Sequence, residues 1–201
     1  MGERRTNRGR RLPPEILTDD EVHALLRACS ARAATGIRNR ALIAVLYRSG
    51  LRINEALSTY PKDIDRNTGT IRVLNGKGNR TRTVGIDPGA MAVLERWFDM
   101  RTRIGLSGGQ RLFCTLEGRP MTDSYVRVLL PRLAHKAGIE KRVHAHGFRH
   151  SHAAQLRAEG VDIGIISKQL GHQSIATTAR YLDHIAPLAV IDTMRKRVWR
   201  F

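Results

Sequence analysis

Apolar residues recur along most of this chain at helical spacing. Val22, Leu25 and Leu26 share one face of a segment that Thr18 and Glu21 open with the spacing of a reciprocal N-terminal cap, so a helix is expected over about 19–32. Leu42, Val45 and Leu46 do the same for 38–49. Gly50 follows them, a residue free to take the left-handed conformation that ends helices. A third, short helix starts near Asn54. Between Thr70 and Ile86 the period changes: the β-branched runs TIRVL and TRTVGI flank NGKGNR, which reads as a β-hairpin with Lys77 at its tip. Pro88 suits a first helical turn, and Met91, Leu94, Trp97 and Phe98 line one side of a helix to about 102. LFCT is expected as a short strand and 122–137 as a helix interrupted by Pro131. Further helices are expected over 146–159, 162–169, 174–183 and 187–197. The pattern is that of a mostly α domain with a small antiparallel β-sheet, an α+β fold.

Composition adds a partner class. The length of 201 residues suffices for one core without disulfides or metal. Residues 1–12, MGERRTNRGRRL, hold five arginines against one glutamate and read as a flexible basic arm, closed by Pro13 and Pro14. Over the whole chain, 35 Lys and Arg against 18 Asp and Glu leave a formal charge of +17, which implies a polyanion, DNA or RNA first. No apolar run is long enough to span a bilayer, and the arginine-rich start is unlike a signal peptide, so a soluble cytoplasmic protein, nucleoid-associated when on DNA, is expected. Cys29 and Cys114 stand far apart with no zinc-type spacing and read as buried apolar residues.

Five stretches carry the chemistry: SGLRINEAL at 49–57, GKGNR at 76–80, HGFRH at 146–150, LGHQS at 170–174 and TTARYLDH at 177–184. Taken in this order they resemble the catalytic domain of the tyrosine recombinase (phage integrase) family, over about 12–184. Each motif alone is common. Their order, the eight residues between His172 and Tyr181, and the threonine pair Thr177 and Thr178 make the resemblance specific. Phe148 stands where the family has leucine, and Asn54 where it has a small residue; both are expected to be packing positions. The resemblance implies Arg52, Lys77, His146, Arg149, His172 and Tyr181 as catalytic residues, with Glu55 orienting its neighbours. It also implies double-stranded DNA as partner, no cofactor, and a tetramer on DNA in which 185–199, IAPLAVIDTMRKRVW, docks on a neighbouring protomer. The N-terminal helical domain that most members carry has no counterpart in this sequence. The chain is then either an isolated catalytic domain over 13–201, with 1–12 as linker, or a short single-domain recombinase of the invertase kind.

Phosphoryl transfer explains these residue types. Negative charge builds on the nonbridging oxygens while attacking and leaving oxygens lie in line, so fixed cations must meet it. Arg52 and Arg149 offer planar forks that bridge phosphate oxygens. His172 adds a hydrogen-bond donor, and His146 is the candidate base for a phenol whose ordinary pKa is about 10. Lys77, on a hairpin tip, would protonate the leaving 5′ oxygen. A 3′-phosphotyrosyl link keeps the energy of the broken bond, so religation needs no ATP.

Blander readings apply elsewhere. His144, His146, His150 and His152 crowd together, yet no Cys or H-E-x-x-H accompanies them, so no metal site is expected; the three besides His146 are structural or near DNA. Tyr47, Tyr60 and Tyr125 are packing residues. Arg96, Arg101 and Arg103 solvate a helix face, while Arg80 and Arg82 beside the hairpin are the phosphate-contact candidates. Two rival functions use the same scaffold: a type IB topoisomerase-like relaxing enzyme and a noncatalytic DNA-binding regulator.

Overall fold

The computed structural model describes residues 15–74, 81–185 and 194–198. The fold is mostly helical with a three-stranded antiparallel sheet, as the periodicities imply. α1 (Asp19–Ala28) opens with the expected cap: Glu21 donates its N–H to the Thr18 hydroxyl at 3.2 Å, and Thr18 donates its own to the Glu21 carboxylate at 2.8 Å. It stops before 32 because the Ser30 hydroxyl accepts from the N–H groups of Arg32 and Ala33, turning the chain into α2 (Ala34–Ser49). α2 is the central helix. Ala41 through Tyr47 are all buried, so both faces pack, against α4 on one side and α6 on the other. It ends at Gly50, which takes φ +64°. The short α3 (Ile53–Ser58) follows directly.

The sheet contains one strand more than expected. β1 (Ile64–Asp65) pairs with β2 (Thr70–Val73), which pairs with β3 (Arg82–Gly85) in the register Ile71↔Val84 and Val73↔Arg82. Asp65 makes the β1–β2 turn by accepting the N–H groups of Asn67 and Thr68. The hairpin tip with Lys77 and Arg80 lies outside the described residues, as do the basic arm and most of the segment expected as a helix over 187–197.

α4 (Pro88–Arg103) is capped by Asp87. LFCT is not a strand: Leu112, Phe113 and Cys114 are buried, and only Cys114 pairs, with Pro120. Side chains take two of its carbonyls, Trp97 Nε1 and Arg101 Nη1 donating to that of Leu112 and Arg38 Nη1 to that of Cys114. Leu112 and Thr115 donate their N–H groups to the carbonyls of Thr59 and Arg119, and the Phe113 carbonyl accepts from Met121. Arg101, expected on a solvated face, is therefore 3% exposed and structural. α5 (Asp123–Lys136) runs unbroken through Pro131, contrary to expectation. Pro131 is exposed, so water can satisfy the freed carbonyl, and the cost of about 3 kcal/mol is offset by burying Leu129, Leu130 and Leu133. Phe148 packs fully buried, edge-on to Tyr47, but Asn54 is exposed and Tyr125 stands partly at the surface, so these two are not core residues.

α6 (Ala145–Ala158), α7 (Ile163–Leu170) and α8 (Ile175–Ile185) follow. Ala153, Ile166, Leu170 and Leu182 form a second, smaller core among them. The cysteines are buried as expected. Among the described residues, no helix is long and apolar enough to cross a membrane.

Candidate active site

Three helix ends and one helix face build the site. Arg52 sits at the entry to α3, two residues past the left-handed Gly50, with its side chain 41% exposed. Glu55, one turn on, accepts from the Arg52 backbone N–H at 2.8 Å and from Arg52 Nη1 at 3.0 Å. Glu55 also takes both Nη groups of Arg82, at 2.8 and 2.9 Å. Burial of Glu55 would raise its carboxyl pKa; the Arg82 hydrogen bonds, the Arg52 N–H and both charges override this and hold it at about 2. Glu55 is thus an anion that orients two guanidiniums, and Arg82, expected to touch phosphate, turns its fork inward onto it.

His146, Arg149 and His150 follow one face of α6 at i, i+3 and i+4 spacing. Arg149 is buried, donating from Nη1 to the Gly50 carbonyl at 2.6 Å and from Nη2 to that of Leu170 at 2.5 Å. Burial, with Arg52 near it, lowers its pKa to about 10, so it stays cationic at neutral pH. Among the described residues no carboxylate lies within ion-pair distance of it. Gly171, at φ +67°, ends α7 and turns the chain to His172, whose Nδ1 lies 2.8 Å from the Thr178 hydroxyl at the start of α8. Burial and the three arginines Arg149, Arg52 and Arg82 lower His172 to about 4, so it is neutral near pH 7 and has a ring N–H to donate.

Tyr181, on α8, is walled by imidazoles. His150 stacks on its ring with centroids 5.0 Å apart, and His172 and His146 meet it edgewise at 5.2 and 6.5 Å. The hydroxyl is buried beside the Arg149 guanidinium, whose N–H groups are pointed at the carbonyls of Gly50 and Leu170, so the phenol is left without a well-aligned hydrogen bond among the described residues. Burial pushes the phenol up to about 12, against the lowering pull of Arg149 and Arg52. His146 lies at the solvent-exposed rim; the protein around its ring, then the charges of Arg149, His144 and Arg52, lower its pKa, leaving it free to accept a proton.

Four of the expected residues, Arg52, His146, Arg149 and His172, thus surround Tyr181 with Glu55 behind Arg52, while Lys77 and Arg80 lie outside the described residues. Sequence reasoning missed the place of His150. Its spacing of four from His146 was the available signal, since it puts both rings on one helical face. His144 caps α6 through Nδ1, and His152 is buried, so these two are structural. An open groove of about 860 Å³ beside β1 and β2, lined by Lys62, Arg66, Arg72 and Glu95 among others, shares no residue with this cluster.

Two guanidiniums and a neutral imidazole donor around a phenol make a site that can neutralise an oxyanion beside a phenolic nucleophile. The chain belongs to the phage integrase family, whose pattern matches residues 15–186. It is 35% identical over 175 residues to the tyrosine recombinase XerD of Ralstonia nicotianae, covering 86% of this chain and 56% of that protein. It is 33% identical over 195 residues to the tyrosine recombinase XerC of Alcanivorax borkumensis, covering 96% and 63%. This chain therefore spans less than two thirds of the length of either relative. Among solved structures, XerA recombinase superposes with a TM-score of 0.79 at 29% identity, covering 94% of this chain and 67% of that one. XerH recombinase bound to a palindromic difH substrate, in a post-cleavage complex, gives 0.73 at 27%, covering 92% and 54%.

Proposed function

We propose that the chain is a site-specific DNA recombinase that cuts and rejoins strands of double-stranded DNA through a 3′-phosphotyrosyl intermediate. One observation carries the reading: Arg149, a buried guanidinium without an anion among the described residues, lies beside a buried phenol hydroxyl that has no well-aligned hydrogen bond there. Both are costly in isolation, and a phosphodiester satisfies both at once.

In the proposed reaction the Tyr181 oxygen attacks phosphorus, the phenol proton passes to His146, and the bond from phosphorus to the 5′ oxygen breaks. Arg52, Arg149 and His172 hold the nonbridging oxygens as their charge grows. Lys77 gives the leaving 5′ oxygen its proton. Attack by a second 5′ hydroxyl reverses these steps on a new partner strand. The high phenol pKa fits a nucleophile that stays protonated until phosphate enters and the arginines act on it.

The DNA partner is supported by the +17 formal charge and by the DNA-bound neighbour. Residues 13–201 are read as the catalytic unit, with the arm at 1–12 and Arg80 reaching phosphates. A palindromic substrate has two half-sites, which supports symmetric assembly. A tetramer exchanging its C-terminal segments is therefore proposed, and deleting residues 186–201 is expected to abolish assembly on DNA.

The test of strand transfer is trapping on nicked duplexes tiled from the DNA flanking the gene. The wild type is expected to form covalent adducts and Tyr181→Phe none. Unchanged behaviour of Tyr181→Phe would refute the reading in favour of a noncatalytic regulator. Relaxation without exchange between two duplexes would favour a topoisomerase.

A further inference from the structure

We propose that Arg82 is a positioning residue for strand transfer, setting Arg52 through Glu55 and the His172 turn through Gly171. The proposal rests on the strand-transfer reading and assigns Arg82 a role other than phosphate contact.

The geometry is that of a strut. Arg82 is the first residue of β3, and its side chain is only 17% exposed. Its two Nη groups span the two oxygens of Glu55, the bidentate arrangement that fixes both planes. The same oxygens hold the Arg52 side chain and backbone N–H, so displacing Arg82 frees one side of the group that aims Arg52. On its other side the guanidinium lies against Gly171: a Cβ there would stand 2.5 Å from Arg82 Nε and 2.7 Å from its Cζ. Gly171 joins Leu170, whose carbonyl holds Arg149, to His172. Arg82 therefore touches the supports of Arg52, Arg149 and His172 together.

The strand that carries it is anchored independently. Gln169 accepts the Gly85 N–H at 3.0 Å, and donates to the Gly85 carbonyl at 2.8 Å and to that of Ser49 at 3.1 Å. Its amide thus binds the far end of β3 to the ends of α7 and α2. β3 is held at Gly85 and braces the site at Arg82.

The test uses the full chain with Arg82→Ala, Arg82→Lys, Glu55→Gln and the double variant Arg82→Ala/Glu55→Gln. Nicked duplexes tiled from the flanking DNA serve as the probe, and a ¹³C-carboxyl titration follows Glu55 without DNA. Arg82→Ala is expected to slow adduct formation in bound complexes on the order of 100-fold, with duplex affinity and its salt slope little changed. Lysine restores only part of the rate because a point charge cannot span both oxygens. The double variant, which leaves no unpaired buried charge and so keeps its fold, is no slower than its slower single parent.

Additive losses in the double variant would overturn the proposal. So would weakened affinity with a salt slope shallower by about 0.9 and unchanged cleavage once bound, the mark of a phosphate contact. In the DNA-free titration Arg82→Ala is expected to move the Glu55 midpoint up from about 2 toward the ordinary carboxylate range. A midpoint that stays would defeat the proposal whatever the DNA assays read. Absence of Tyr181-dependent adducts in the wild type, with the midpoint moving, would instead strike the strand-transfer reading.

Discussion

Replacing Gly50 by alanine would test how the core is coupled to the site. Gly50 sits at φ +64°, where an L side chain costs roughly 1–2 kcal/mol. The new methyl would also stand 2.6 Å from Cδ2 of His152 and 3.1 Å from Cδ2 of Leu170. His152 is 5% exposed and has little room to move, so overpacking adds about 1–3 kcal/mol. The sum is a loss of roughly 2–5 kcal/mol, read as a lower urea midpoint at constant slope. A second effect is chemical. The Gly50 carbonyl anchors Arg149, so adduct formation should fall in the molecules that remain folded.

Combining the change with His152→Ala separates the two energies. The closer clash disappears in that background while the backbone penalty and the lesser contact with Leu170 stay, so the cost of Gly50→Ala should fall toward the backbone penalty of about 1–2 kcal/mol. A cost within about 0.5 kcal/mol of zero in the wild-type background would refute the reasoning, as would a cost unchanged by His152→Ala.

Other expectations are as direct. Tyr181→Phe removes a buried hydroxyl without a well-aligned hydrogen bond among the described residues, and Arg149 beside it keeps its two carbonyl acceptors, so its thermal midpoint should stay close to that of wild type while adducts vanish. Arg101→Met should lower stability by about 2–4 kcal/mol, because the carbonyls of Ser107 and Arg111 lose their donor; denaturant midpoints measure this. His152 and His172 are both lowered to about 4, chiefly by burial. The unfolded chain therefore takes up protons first, and stability should fall as pH drops from about 6.5 to 4. His152→Phe should flatten part of that decline in pH-dependent melting. Glu55, held at about 2, contributes stability above its ordinary value that is lost as pH falls from about 4.5 through 2.

Much of this fold can be read locally. The Thr18–Glu21 cap, the left-handed Gly50 and the β-branched runs around the hairpin act through neighbours in sequence, and each appears where its pattern implies. Where a local rule failed, a distant partner had decided. Pro131 should break a helix, but buried leucines on the opposite face hold α5 together. LFCT has strand-forming residues, but Trp97, Arg101 and Arg38 take the carbonyls a neighbouring strand would have used. The sign of a charge says nothing about its direction, so Arg101 and Arg82 looked like surface arginines until packing turned them inward.

The order and spacing of Arg52, the His146–Arg149 pair, His172 and Tyr181 carried the resemblance to the family to which the chain belongs, and the proposed phosphoryl transfer follows from that resemblance. Tertiary structure alone determined their environments. It stacked His150 on Tyr181, buried Arg149 without an anion among the described residues, drove the phenol up to about 12 and held Glu55 near 2. The physical reason is that residue identity sets which protons and hydrogen bonds a side chain can offer. Burial and neighbouring charge, which come from residues up to 130 positions away, set what each of those groups does at neutral pH.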